Sequence, residues 1–461
     1  MVELADRLVG ATPCGGPLLA EQEPRLPLGQ ARGPAPTIGD RMLTAEPAGL
    51  YVHVPFCRSK CRYCGFYSVP AAGRDTGRLV AAMLRELEQY GGVGFCTAYV
   101  GGGSPTALPA GQLIGLVRRI AEWFPQVEEF TVECNPGQVD AELLAGLRRA
   151  GVNRLSFGAQ SFRAAELELL GRGHTVAEIG RAVELARQAG FGNVGLDLIF
   201  ALPGSTLADW RYSVDAALGL GVQHISAYSL SFEPGTVFDA WRRSGRLAPV
   251  DEELDRAMYE WAIERLGQAG LEQYEISNFA RPGFECRHNL GCWANRPYVG
   301  IGPGAASSTG ILPVSSMGVP PMNAGRSHGQ DARGTHGRDG RATSWAGRPC
   351  YGQGSRVTHD PDLERYVAAV QSGGEIPGEV QPVSWEDRIC ETAVLNLRTR
   401  TGIDLAAFQR RTGRNAIQVF AEPIRRYRDL GLMEITERSV RLTEQALPIA
   451  DSILCDFAAL E

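Results

Sequence analysis

The chain has 461 residues, enough for roughly three ordinary domains, and its 44% hydrophobic and 21% charged composition is that of a globular protein. No apolar run approaches the ~18 residues that span a bilayer, so no transmembrane segment is expected. The N-terminal stretch lacks the basic start and apolar core of a secretory signal. A net charge of −6 argues against a general nucleic-acid binder, and 11 cysteines, an odd count without an export signal, read as reduced thiols in the cytoplasm.

Residues 1–47 carry repeated Gly and Pro without sustained periodicity and are expected to be a disordered extension, with Met42 a candidate true start. From residue 50 onward strand-like runs alternate with segments whose apolar residues recur every three and four positions, such as Leu79–Tyr90 and Leu113–Phe124. The strands read as Leu50–Phe56, Thr97–Gly102, Glu129–Cys134, Arg154–Ala159, Asn193–Phe200 and His224–Leu230. Six successive β-then-α units predict an α/β fold over residues 48–235, a parallel sheet with right-handed crossovers, open or curled into a barrel. In such barrels chemistry gathers at the C-terminal ends of the strands, and the candidate residues are expected there.

Residues 236–310 are expected to complete the barrel. Residues 311–360 break the pattern with a near-repeat, HGQDARGT at His328–Thr335 and HGRDGRAT at His336–Thr343, and offer few apolar side chains to pack. A disordered low-complexity insertion is expected. Residues 361–461 read as helices, a hairpin (Leu432–Ile435 and Val440–Leu442) and a last helix, which together resemble a winged helix. Residues 381–461 hold 11 Arg against 12 Asp and Glu, so packing or partner contact is expected of them rather than DNA reading.

The densest chemistry lies in Cys57-Arg-Ser-Lys-Cys61-Arg-Tyr-Cys64, three thiols directly after the first strand. Thiolates favour zinc, copper(I) or iron–sulfur centres. Structural zinc takes four ligands, commonly as two separated pairs, and no second CxxC follows here. Three cysteines on one loop suit a [4Fe–4S] cluster with one iron left open to a small-molecule ligand.

This CxxxCxxC loop resembles that of the radical S-adenosylmethionine (SAM) superfamily. The flanks Tyr51-Val-His-Val-Pro-Phe-Cys57 and Cys64-Gly-Phe-Tyr-Ser68 resemble its HemN/HemW branch. GGGSPT (Gly101–Thr106), VECNPG (Val132–Gly137), FGAQSF (Phe157–Phe162), LGRGH (Leu170–His174), DLIFALPG (Asp197–Gly204), YEISNFA (Tyr274–Ala280) and HNLGCW (His288–Trp293) follow in the order of that branch. The resemblance implies a partial (β/α)6 barrel with a C-terminal winged-helix-like α+β domain, Cys57, Cys61 and Cys64 on the cluster, and SAM on its open iron. It further implies that Gly102, Gly103 and Ser104 lie along the methionyl end of SAM, that Glu133 accepts from the amino group and that Arg172 pairs with the carboxylate. Gln160 and Asp197 would bind the ribose hydroxyls, and Tyr51 and Tyr63 would contact SAM or shield the cluster.

Within the branch, oxygen-independent coproporphyrinogen III dehydrogenases carry a fourth cysteine two residues after the third, where this chain has Phe66. The sequence is more similar to the haem chaperones. That similarity implies haem binding with His288 as an axial ligand, delivery to haem-requiring apoproteins, and an electron donor such as a flavodoxin or ferredoxin. Two departures stand in the haem region: Cys292 where relatives have Tyr, and Ala306 where they often have His. A coproporphyrinogen dehydrogenase or another radical SAM enzyme of porphyrin metabolism is the alternative.

Overall fold

The computed structural model describes residues 47–308 and 354–460. Met42, the near-repeat and most of the expected extension and insertion lie outside these residues.

Strand β1 (Ala48–Val54) opens the fold, and the short β2 (Phe56–Cys57) and β3 (Val69–Pro70) pair in parallel across the cysteine loop. There follow β4 (Phe95–Gly102), β5 (Glu129–Cys134), β6 (Arg154–Gln160), β7 (Val194–Phe200) and β8 (His224–Ser229), with helices between them. The sequence-based boundaries of the six long strands differ from these by at most two residues. Helix starts follow from local chemistry: Thr175 with Glu178, and Thr206 with Asp209, close reciprocal capping boxes ahead of Val176–Gln188 and Leu207–Gly219. Each crossover helix buries one stripe; in Ala110–Trp123 it is Leu113, Leu116, Val117 and Ile120.

β9 (Glu272–Glu275) and β10 (Asn278–Ala280) form an antiparallel pair whose β10 runs antiparallel against β8, while β11 (Tyr298–Ile301) joins the other edge parallel to β1. β12 (Ala306–Ser308), β13 (Gly354–His359) and β14 (Gly378–Val383) extend that edge antiparallel. The sheet therefore has twelve strands in the order β14-β13-β12-β11-β1-β4-β5-β6-β7-β8-β10-β9. β13 corrects one expectation: the insertion was drawn to residue 360, yet 354–359 pair with 306–308 and 378–383. A six-residue strand bordering a Gly-rich stretch carries too few apolar positions to announce itself.

The C-terminal unit sets helices Trp385–Leu397, Leu405–Thr412 and Ala421–Asp429 around a three-stranded sheet. That sheet holds β15 (Ile403–Asp404), β16 (Met433–Ile435) and β17 (Ser439–Leu442) in the order β15-β17-β16. The architecture is thus a partial (β/α)6 barrel extended at both edges, with a C-terminal winged-helix-like α+β unit.

The two parts share one core of buried apolar side chains. Their junction is also polar. Asn295 sits at φ 52°, donates to Thr392 Oγ1 (3.0 Å) and accepts from Arg388 Nη1 (2.9 Å), all three residues being buried. Asn tolerates the left-handed region better than other non-glycine residues because its short polar side chain bonds locally. Asn295→Ala should lower stability by about 2–4 kcal/mol in chemical unfolding, from two lost buried hydrogen bonds and a strained backbone. Asn295→Gly should lose less, because it relieves the backbone part alone.

Candidate functional site

Side chains alternate across a strand, so the inward face of each parallel strand delivers every second residue to the barrel interior. Tyr51 and His53 of β1, Tyr99 of β4, Glu133 of β5, Asp197 of β7 and Ser226 of β8 all arrive this way. They line a single cavity of about 1040 Å³. All thirteen residues singled out from the sequence line it: Cys57, Cys61, Cys64, Tyr51, Tyr63, Gly102, Gly103, Ser104, Glu133, Gln160, Arg172, Asp197 and His288.

The cysteine loop is pinned by backbone. Gly103 N–H donates to Val54 O (2.8 Å), Ser104 N–H to Phe56 O (2.7 Å), Ala71 N–H to Cys57 O (2.9 Å) and Arg62 N–H to Leu170 O (3.0 Å). This explains the glycine run. A Cβ on Gly103 would lie 2.6 Å from Phe56 O, and Gly102, at φ 105°, would drive one to 2.5 Å from His53 Nδ1. Cys57, Cys61 and Cys64 are free and half-buried. Burial raises the Cys57 and Cys64 thiols, the latter to about 11. Arg172 bridges inward, its Nη1 donating to Cys61 Sγ (3.4 Å) and its Nη2 to Gly158 O (2.6 Å).

Among the described residues no group of three or more His, Cys, Asp or Glu is arranged to hold a single metal ion. A four-iron cluster places one thiolate on each of three irons, so its ligands need not converge on one point. Three free thiols on one cavity wall, with a guanidinium donating to one of them, fit such a cluster as a donor set.

Beyond the loop, Glu133 accepts from Tyr99 Oη (2.7 Å) and Gly102 N–H (3.2 Å), and burial with the nearby Asp197 raises its carboxyl above the usual range. Burial raises Asp197 likewise, although Ser156 Oγ donates to it at 3.2 Å. Gln160 stands at φ 68°, next to a register break in the β6–β7 pairing. Such strain in a non-glycine residue is held by its surroundings and is typical of ligand-facing positions. Ser104 Oγ bonds to Gln138 Oε1 (3.1 Å), and the Tyr63 ring packs 6.5 Å from Phe238.

His288 departs from the expectation that candidates gather at the C-terminal strand ends. Its ring lies against Gly49, near the start of β1, so it forms the floor of the cavity opposite the cysteines. Its helix, Arg287–Trp293, is held by Glu129, whose Oε2 accepts from Arg287 N–H and Oε1 from His288 N–H, both at 2.9 Å. Thr97 Oγ1 fixes His288 Nδ1 at 2.9 Å, while Nε2 has no partner among the described residues. Cys292 does not line the cavity, whereas Ala306 does. Sequence motifs missed two further floor residues, Arg154 and His224, the first residues of β6 and β8. The signal was the alternation itself, Arg-Leu-Ser-Phe-Gly and His-Ile-Ser-Ala-Tyr, where polar residues recur at every second position.

A parallel barrel whose first strand runs into a three-cysteine loop, with acidic and amide groups on the following strand ends, defines a radical SAM protein. The chain matches the Radical SAM superfamily over residues 51–217 and the HemN C-terminal domain over 383–449. A cluster and SAM are the cofactors of that domain. Its fold is similar to that of Escherichia coli coproporphyrinogen III oxidase (HemN), with a TM-score of 0.69 at 21% identity over 89% of this chain and 90% of that one. It is 32% identical over 414 residues to the heme chaperone HemW of Bacillus subtilis, covering 88% of this chain and 98% of the relative. With the HemW of Lactococcus lactis it shares 40% identity over 263 residues, 57% of this chain and 69% of that one. The chain belongs to the HemW family. No described helix is long and apolar enough to cross a membrane.

His53 and His288 are both fully buried, and burial lowers each from 6.5 to about 4. Between these values the unfolded chain takes up protons that the folded one refuses. The part of the stability that rests on these two histidines staying neutral is therefore complete above pH 6.5 and falls below it, by roughly 1.4 kcal/mol per pH unit for each histidine. The unfolding midpoint should drop between pH 7 and pH 5, and His53→Asn should show a shallower drop.

Proposed function

We propose that this chain is a cytoplasmic haem carrier that keeps a radical SAM site: it binds a [4Fe–4S] cluster, SAM and haem, and passes haem to apoproteins that require it. The observation that carries this reading is the state of His288. A neutral imidazole, anchored through Nδ1 by Thr97 and with Nε2 free of partners among the described residues, faces the same cavity as the three cysteines. That is how an axial haem ligand is prepared, since the hydrogen bond at one ring nitrogen orients the other. The named relatives in Bacillus subtilis and Lactococcus lactis are heme chaperones, which supports the reading.

In this reading Cys57, Cys61 and Cys64 hold the cluster, which, when bound and reduced, supplies the electron for SAM cleavage. Glu133 takes the amino group of SAM; an ammonium beside this buried carboxyl restores its ionised form. Arg172 takes the SAM carboxylate, Gln160 and Asp197 the ribose hydroxyls, and Gly102, Gly103 and Ser104 flank the methionyl end. Tyr51 and Tyr63 exclude water from the cluster side. An acidic electron donor such as a flavodoxin or ferredoxin reaches the loop beside Lys60, which donates to the Phe66 carbonyl (3.1 Å). Phe66, 40% exposed where the coproporphyrinogen dehydrogenases have their fourth cysteine, favours the carrier over that enzyme.

Cys61→Ser should abolish cluster assembly, read as iron and sulfide content after anaerobic reconstitution; unchanged content would remove the cluster assignment. His288→Ala should keep its iron and sulfide and bind haem at least about tenfold more weakly, a loss of about 1.4 kcal/mol. Equal affinity in the parent and the variant would reject His288 as the ligand. Formation of protoporphyrinogen from coproporphyrinogen III, SAM and reductant would overturn the carrier reading in favour of the enzyme.

A further inference from the structure

The floor of the cavity holds a cation that the cluster and SAM leave unused. Arg154 is 1% exposed, lines the cavity, and has no hydrogen-bond partner at Nε or Nη1 among the described residues. Glu129 offsets its charge, but both Glu129 oxygens accept from the helix that carries His288, and the guanidinium's Nε and Nη1 are left without an acceptor among the described residues. Two further nitrogens on the same floor are also without partners among the described residues. They are His288 Nε2 and His224 Nδ1, the second on a ring whose Nε2 bonds Tyr274 Oη at 2.8 Å.

A guanidinium taken out of water with unspent donors is costly unless something brings an acceptor to it. Resting on the haem reading of this cavity, we propose that Arg154 is an anchor for a carboxylate of the bound ligand, a haem propionate, in a subsite separate from that of SAM. A planar carboxylate matches the fork of a guanidinium. Ile199, Phe200 and Ala227 also line the cavity, so it suits a ligand with an apolar body and an acidic end. His288 and Arg154 then read two different features of one molecule, its metal and its acid group.

The test is an anaerobic titration of the full-length, cluster-reconstituted protein with haem, with haem dimethyl ester, whose propionates are uncharged, and with SAM. The parent protein should bind haem at least about tenfold more tightly than the ester. Arg154→Gln should lose that preference while its SAM affinity and iron content stay within about twofold of the parent. Arg154→Lys, which keeps the charge without the fork, should retain part of the preference. Equal binding of haem and ester by the parent overturns the proposal without any variant and leaves the carrier reading intact. A preference that survives in Arg154→Gln, or a variant that loses SAM instead, overturns it too. A parent protein that binds neither porphyrin removes the carrier reading and this inference with it.

Discussion

A parallel barrel has two faces to satisfy, and its crossover helices cover only one. The outer positions of β1 and β4–β8 are apolar and lie under the helices, while the inner positions deliver tyrosine, histidine, serine, carboxylate and guanidinium groups into one space. β7 shows the division within seven residues: Val-Gly-Leu-Asp-Leu-Ile-Phe is near-continuously apolar, as a strand buried on both faces should be, and Asp197 interrupts it where it faces the cavity. An interior built this way carries more polar groups than its walls can pair. Ligands have to complete it.

The cysteine loop depends on the same geometry. It leaves β1 at the point where β4 ends, so the two chain segments run against each other at backbone distance. Gly102 and Gly103 are small because His53 and the Phe56 carbonyl occupy the space of a side chain. The part proposed for them in admitting SAM is therefore coupled to their part in placing Cys57. A larger residue there would push against the loop before it met any ligand.

The long parallel strands were legible in the sequence because each is bounded by turn residues and followed by a helix with a clear apolar stripe. The cysteine motif was legible because its chemistry is local. β9 to β14 were not, since they are three to six residues long and stabilised by long-range pairing that no local pattern records. The placement of His288 failed for a related reason. Its motif lies on a helix after the barrel strands, and only the pairing of β11 with β1 brings that helix beneath Gly49. Arg154 carried no motif beyond an alternation that any half-buried strand shows, and burial with two unpartnered nitrogens is a property of the folded chain alone.

The helix Arg287–Trp293 also ties the C-terminal unit to the cavity. Its first turn sets His288 into the cavity, and its last residue, Trp293, accepts a hydrogen bond from Asn396 Nδ2 (2.8 Å) at its carbonyl. The Trp293 ring lies 5.0 Å from the Arg398 guanidinium, and Arg398 in turn pairs with Asp451 (3.1 Å). Both Arg398 and Asp451 line the cavity, beside Leu447, Pro448 and Ile449. The unit also covers edge strand β9, through the Glu275–Thr399 bridge and Arg400 N–H on Tyr274 O (3.0 Å). Its contribution is a wall of the same cavity, and one short helix couples that wall to the histidine on the floor.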